Sequence, residues 1–135
     1  MTWLAYAAAA IVGFASWGVI SKVALDHTGW PQASLLVGIV TVVVSAIAVA
    51  LSDGSWSTKG ITVGAAAGLA AALGFIFFYL ALDAGPASQV VPVIGVYPVL
   101  AAILAVIFLS ESMSPVQVAG AGLAVTGVLL VGLGS

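Results

Sequence analysis

Long apolar runs alternate with short polar turns along the whole chain, and this pattern predicts five membrane-spanning helices. Each run has close to the roughly 20 residues that a helix needs to cross a bilayer. The predicted spans cover about residues 3–25, 31–51, 60–82, 87–109 and 116–133. Because the number of spans is odd, we expect the two ends of the chain on opposite sides of the membrane.

Composition supports the same interpretation. Of the 135 residues, 64% are hydrophobic and 4% are charged, which leaves too little polar surface to cover the chain in water. Segments such as 37–51 and 99–109 are apolar almost throughout, whereas strands of a membrane barrel alternate apolar and polar residues. The sequence therefore predicts an all-α integral membrane protein, a five-transmembrane-helix bundle that forms a single domain over residues 1–135.

Charge and residue content exclude several kinds of function. The net charge is −2 and rests on six charged residues, so no basic patch is available for nucleic acid. Cysteine is absent and His27 is the only histidine, so we expect no metal site and no cofactor. The acids Asp26, Asp53, Asp83 and Glu111 lie at predicted helix ends or in turns, and no nucleophile has an evident base. We therefore expect no enzyme.

Two prolines interrupt the fourth predicted span. Pro92 and Pro98 each lack a backbone N–H and clash with the preceding turn, so the helix should be kinked or locally unwound. The carbonyl groups released in this way need partners in protein or in a wet cavity. Two interpretations are open at this point, a substrate site and a purely structural kink.

Small residues form smooth faces on two other spans. Gly64 and Gly68 are four residues apart in the third span, and Gly120 and Gly127 lie in the fifth. Such faces allow another backbone to approach closely. We predict that these four glycines lie at helix contacts.

Two polar residues of the first span are candidates for a substrate pathway. Lys22 either extends outward and pairs with Asp26, four residues on, or lies at the mouth of a cavity. Trp17 lies well inside the span, so it either packs among other side chains or directs its indole N–H into a polar space.

For the remaining hydroxyl groups within the spans, the sequence makes less specific predictions. Tyr97, directly before Pro98, is a candidate to line a cavity beside the expected kink, whereas Tyr79 is expected at the membrane interface. Serine and threonine hydroxyls within spans usually bond to carbonyls of their own helix, and we expect this of Ser21 and Thr126.

The positions of the two lysines favour neither orientation of the chain in the membrane. Lys22 is near one predicted membrane face and Lys59 is near the other, whereas orientation normally follows an excess of Lys and Arg on one side. We therefore expect dual topology, with two copies pairing as an antiparallel homodimer. A parallel dimer is the alternative.

Several short motifs occur in a fixed order along the five spans. They are Trp17, Gly18 and Lys22; Tyr79, Ala81, Leu82, Gly85, Pro86 and Ala87; Pro92, Pro98 and the segment 108–111; and Gln117, Gly120, Gly127 and Val128. Together they resemble the EamA-type domain of the drug/metabolite transporter superfamily, and the resemblance covers essentially the full chain.

The resemblance implies half of a ten-helix, inverted-repeat transporter, similar to the short five-helix members that work as dimers. It implies a place near the pathway for Trp17, Lys22, Pro92, Tyr97 and Pro98. We expect a multi-pass protein of a prokaryotic cell membrane that moves a small metabolite or drug-like solute by alternating access, coupled to an ion such as proton or sodium. Two alternatives are a non-transporting membrane subunit that assembles with another protein and a lipid flippase.

Overall fold

The computed structural model describes residues 2–134, which form helices joined by turns. The helices are α1 (Thr2–Leu25), α2 (Trp30–Ala50), α3 (Thr58–Ala84), α4 (Ala87–Ile94), α5 (Tyr97–Phe108) and α6 (Pro115–Leu133). By length and composition, α1, α2, α3 and α6 are candidate membrane spans, and α4 together with α5 makes a fifth. The ends of the five spans differ from the predicted positions by at most two residues.

Contacts between helices group these segments into two compact units that divide between Ala84 and Gly85. In the N-terminal unit, α1, α2 and α3 pack against one another in pairs. In the C-terminal unit, α6 packs against both α4 and α5. That residues 1–135 make up a single domain stays a prediction.

Local sequence explains where several helices begin. Gly29 is the N-cap of α2, and Pro31 lies in the first turn, where a missing N–H costs no hydrogen bond. The hydroxyl of Ser57 accepts a hydrogen bond from a first-turn N–H of α3 at 3.1 Å. At α6, Ser114 and Gln117 form a reciprocal capping box, with hydrogen bonds of 3.3 and 2.7 Å.

Full burial is concentrated at one end of the N-terminal unit. The fully buried residues there are Gly18, Ser21, Ala33, Phe78, Tyr79 and Leu82. They belong to the last part of α1, the first turns of α2 and the last part of α3. Because α1 and α3 cross the membrane in the same direction, all six lie toward one membrane face.

The C-terminal unit and the remaining helix surfaces are open. Among the described residues, none in α4, α5 or α6 is fully buried. Most large apolar side chains of the chain are exposed, as is expected of a protein whose surroundings are lipid.

The four glycines predicted at helix contacts lie on these open surfaces. At Gly64, Gly68, Gly120 and Gly127, a Cβ atom would meet no described atom within 4 Å. There is room for a side chain or another backbone at each of these positions, and close helix contact there stays a prediction.

Candidate functional site

An aromatic cluster joins α1 to α3 in the N-terminal unit. The ring of Trp17 stacks on that of Phe78, with centroids 4.3 Å apart and planes inclined by 20°. Phe75 and Tyr79 meet the Trp17 ring edge-on at 5.4 and 6.3 Å. Offset-stacked and edge-on arrangements are the favourable ones for aromatic pairs. The structure thus places Trp17 in a packed cluster.

The indole N–H of Trp17 nevertheless lacks an acceptor. Its Nε1 atom is buried and has no hydrogen-bond partner among residues 2–134. Buried tryptophan N–H groups usually find a partner, and leaving one unpaired costs about 1–3 kcal/mol. An unpaired donor at this depth is a candidate contact for a polar group that arrives when the helices move.

One helical turn after Trp17 on α1, Ser21 forms a buried hydrogen bond with Tyr79 of α3. The two hydroxyl oxygens are 3.1 Å apart, and the residues are 3% and 1% exposed. The expectation that Ser21 bonds to its own helix is therefore wrong, because its hydroxyl meets α3 instead. Tyr79 is buried against α1, and its place at the membrane interface stays a prediction. One of the two hydroxyls donates to the other, so the pair makes one hydrogen bond between α1 and α3.

The next residue, Lys22, also bonds to α3. Its Nζ donates to the backbone carbonyl oxygen of Leu82 at 2.6 Å, and the side chain is half-buried. Leu82 is within the last turn of α3, where carbonyl groups have no donor from their own helix. The ammonium group also interacts favourably with the negative end of the helix dipole. Lys22 therefore contacts α3, and its pairing with Asp26 stays a prediction.

In the C-terminal unit, the fourth span is broken, which confirms the interruption predicted from its prolines. Pro92 lies inside α4, Pro98 lies in the first turn of α5, and Gly95 and Val96 form the turn between the two helices. Tyr97, the first residue of α5, is 59% exposed. The proline nitrogens cannot donate to the carbonyl groups four residues earlier in the chain.

Because Pro92 and Pro98 have no N–H, the carbonyl groups of Ser88 and Ile94 lose the donor that a regular helix would supply four residues on. The turn keeps other bonds: the Gly95 N–H donates to Val91 at 2.8 Å, and the Val96 N–H donates to Val93 at 3.4 Å. A Cβ atom at Gly95 would lie 3.1 Å from the Pro92 carbonyl oxygen. Glycine therefore allows the chain to pack closely at the break.

An open apolar groove runs along the surface of the N-terminal unit between α2 and α3. Its volume is about 810 Å³, and its lining includes Trp30, Leu35 and Gly38 of α2 and Ala72 and Ile76 of α3. Phe75, which contacts Trp17, also lines the groove. Nearly all of the side chains that line the groove are apolar.

The predicted site residues thus fall in two places. Trp17 and Lys22 lie on α1 and both contact α3, whereas Pro92, Tyr97 and Pro98 surround the break between α4 and α5. Sequence reasoning missed the α3 partners. A signal was present, because Phe75, Phe78, Tyr79 and Leu82 are spaced as one face of a helix.

A model of the EamA-like transporter family matches residues 1–133. The chain belongs to the EamA-like transporter family. This confirms the resemblance noted in the sequence and makes the protein an integral, multi-pass membrane transporter of the drug/metabolite type. EamA-like proteins are transporters, so the expectation that the chain is not an enzyme is also confirmed. No curated protein and no solved structure is matched by the chain.

Proposed function

We propose that this EamA-like chain works as a homodimer of two five-span subunits in opposite orientation, which moves a small metabolite or drug-like solute by alternating access. The observation that carries the proposal is the broken fourth span. Broken helices at membrane depth supply carbonyl groups for a solute or ion, and they divide a span into two parts that can change angle separately.

The pathway residues proposed are Trp17, Lys22, Pro92, Tyr97 and Pro98. Trp17 offers an indole donor without an acceptor, and Lys22 supplies a cation at one end of α1. Tyr97, the first residue after the break, carries an exposed phenol. These groups suit a neutral, zwitterionic or amphipathic solute better than a cation, because the spans offer few acidic side chains.

Exposed small-residue faces support assembly with a second copy. Gly64, Gly68, Gly120 and Gly127 lie on surfaces where a second helix backbone can approach closely. One lysine near each membrane face supports insertion in both orientations.

The first test of transport is flux in proteoliposomes with an imposed proton or sodium gradient. Replacing both Pro92 and Pro98 by alanine restores the missing donors, and we expect this to reduce flux at least about tenfold while the protein stays folded. The matched control is Pro115→Ala at the start of α6, where proline costs no hydrogen bond. Full flux in the double variant would contradict a role for the break.

A second test addresses orientation. The chain contains no cysteine, so single cysteines at His27 and Ser57 report which end is reached by a reagent that does not cross the membrane. We expect each to be labelled from outside in about half of the molecules, since the lysine difference gives no preference. Labelling of only one position would exclude the antiparallel arrangement and favour a parallel dimer. Purification with a stoichiometric unrelated protein would instead favour the non-transporting subunit.

The groove between α2 and α3 favours a second candidate function, the handling of a lipid or another molecule with an acyl chain. The groove is apolar and opens sideways from the N-terminal unit. A fluorescent-lipid scrambling assay in the same vesicles tests this function. We expect Gly38→Leu, which fills the groove, to slow scrambling but not the gradient-driven flux of a polar solute.

A further inference from the structure

The N-terminal unit is tightly packed at one membrane face and open toward the other. All its fully buried residues lie at the end where α1 and α3 finish and α2 begins. Toward the opposite face, residues 58–77 of α3 and 41–50 of α2 are exposed. The three helices therefore make a bundle that is closed at one end.

Two polar contacts hold this closed end together. Consecutive residues of α1 reach α3, Ser21 through the hydroxyl of Tyr79 and Lys22 through the carbonyl oxygen of Leu82. We refer to Ser21, Lys22, Tyr79 and the Leu82 carbonyl as the polar latch. Hydrogen bonds between membrane helices are individually weak, so such contacts can break and form again during a reaction cycle.

The polar latch lies beside the indole N–H of Trp17, which is buried without an acceptor among the described residues while the latch is closed. Trp17, one turn before Ser21, packs against Phe78 and Tyr79, and its Nε1 has no acceptor among the described residues. If α1 and α3 separate, the indole N–H becomes available to water or to a carbonyl or carboxylate group of a solute. Opening therefore loses both contacts of the polar latch and the ring contacts of Trp17, and it recovers one hydrogen bond at the indole N–H.

We propose that the closed end of the N-terminal unit is a gate, held shut by the polar latch and opened by separation of α1 from α3. The gate rests on the proposed alternating-access transport and adds Ser21 and Tyr79 to it as positioning residues. The Trp17 N–H is the group that a solute or water engages when the gate opens.

The test measures opening directly, without requiring transport. Ala33 is 3% exposed and lies at the closed end, so a single Ala33→Cys probe in the cysteine-free chain should react slowly with a membrane-impermeant maleimide. Added to this probe, Tyr79→Phe or Ser21→Ala removes one member of the hydroxyl pair. We expect either change to raise the labelling rate about fivefold, the equivalent of one net hydrogen bond.

Matched controls separate the polar latch from a general effect of hydroxyl loss. Tyr6 is 76% exposed and Ser45 is exposed on α2, so Tyr6→Phe and Ser45→Ala should leave Ala33→Cys labelling unchanged. A cysteine at His27, in the exposed α1–α2 turn, gives the rate for a fully accessible site. Thermal unfolding in micelles reports whether each variant is folded, and amide exchange of residues 18–22 replaces labelling for any variant in which the probe does not fold.

Two outcomes distinguish failure of the gate from failure of the transport proposal. Unchanged labelling in both Tyr79→Phe and Ser21→Ala, together with lower thermal stability, would overturn the gate and leave the contacts purely structural. Absence of gradient-driven flux in the unmodified protein, with labelling rates that still respond to the latch variants, would instead overturn alternating-access transport and retain the gate as a conformational element.

Discussion

The N-terminal and C-terminal units are both built from apolar helices, but they use their polar groups in different ways. In the N-terminal unit, two side chains bond between helices, Ser21 to Tyr79 and Lys22 to Leu82, in addition to bonds within a helix such as that of Thr41. In the C-terminal unit, the hydroxyl of Thr126 turns back to a carbonyl of its own helix at 2.9 Å, as the sequence predicts.

The difference indicates two mechanical roles. Side-chain bonds and stacked rings fix α1 against α3 at one end, so the N-terminal unit changes shape only when those contacts break. The C-terminal unit has no fully buried residue among its described helices and has a division inside one span. A span divided in this way can bend between its two helices.

The largest expected effect tests whether the aromatic cluster holds the N-terminal unit together. We expect Tyr79→Ala to lower the free energy of unfolding by about 3 kcal/mol, because it removes both ring contacts and the partner of Ser21. Tyr6→Ala, at an exposed tyrosine, should cost less than about 0.5 kcal/mol. Denaturation by SDS in mixed micelles measures both values, and equal losses would contradict the proposed importance of the cluster.

The two lysines sharpen the comparison, because Lys22 of α1 contacts the carboxyl end of α3, whereas Lys59 lies at the amino end of α3. Lys22 bonds to a carbonyl at the carboxyl end of α3, whereas Lys59 is exposed in its first turn. We expect Lys22→Met to destabilise the protein by about 2 kcal/mol, as for a hydrogen bond to a charged group. Lys59→Met should be neutral or slightly stabilising, because a cation is unfavourable at a helix amino end. The same micelle titration decides, and the reverse order would be inconsistent with the helix-end contact.

A smaller effect is expected in the C-terminal unit, where helix caps contribute more than contacts between helices. Ser114→Ala removes the hydroxyl of the capping box and should cost about 1 kcal/mol. Ser112→Ala, in the exposed segment before the cap, should change stability by less than about 0.5 kcal/mol. Thermal unfolding of the two variants provides the measurement. A loss of stability in Ser114→Ala as large as that in Tyr79→Ala would contradict the proposed contrast between the two units.

The smallest effect concerns the broken span itself. Gly122 has open space around it, so Gly122→Ala should be neutral or stabilise α6 by up to about 1 kcal/mol. At Gly95, the added Cβ lies 3.1 and 3.2 Å from backbone carbonyl oxygens that have little freedom to move. We expect Gly95→Ala to be less favourable than Gly122→Ala by about 1 kcal/mol. Thermal unfolding compares them, and equal effects would show that the break tolerates a side chain.

The elements of the fold follow closely from the sequence, because in hydrocarbon each span must satisfy its own backbone. The broken fourth span was predictable for a related reason, since the missing donors of Pro92 and Pro98 are covalent facts. The capping box at Ser114 and Gln117 was likewise readable from residue types at fixed spacing.

The contacts between helices were not predictable in the same way. Tyr79 was expected at the interface because a tyrosine near a span end usually lies there. The hydrogen-bond partner of its hydroxyl depends on which face of α1 packs against α3. The same holds for Lys22, because its contact with the end of α3 depends on the packing of α3 beside α1. Periodicity gives the face of one helix but does not identify its neighbour.

The break in the fourth span also affects how the chain enters the membrane. At about 1.5 Å per residue, the 8 residues of α4 and the 12 residues of α5 extend about 12 and 18 Å. Neither segment alone crosses a hydrocarbon core about 30 Å thick. The insertion machinery must therefore accept the pair as one segment during synthesis, before any packing can stabilise it. The efficiency of this insertion step limits how many polar residues the fourth span can contain.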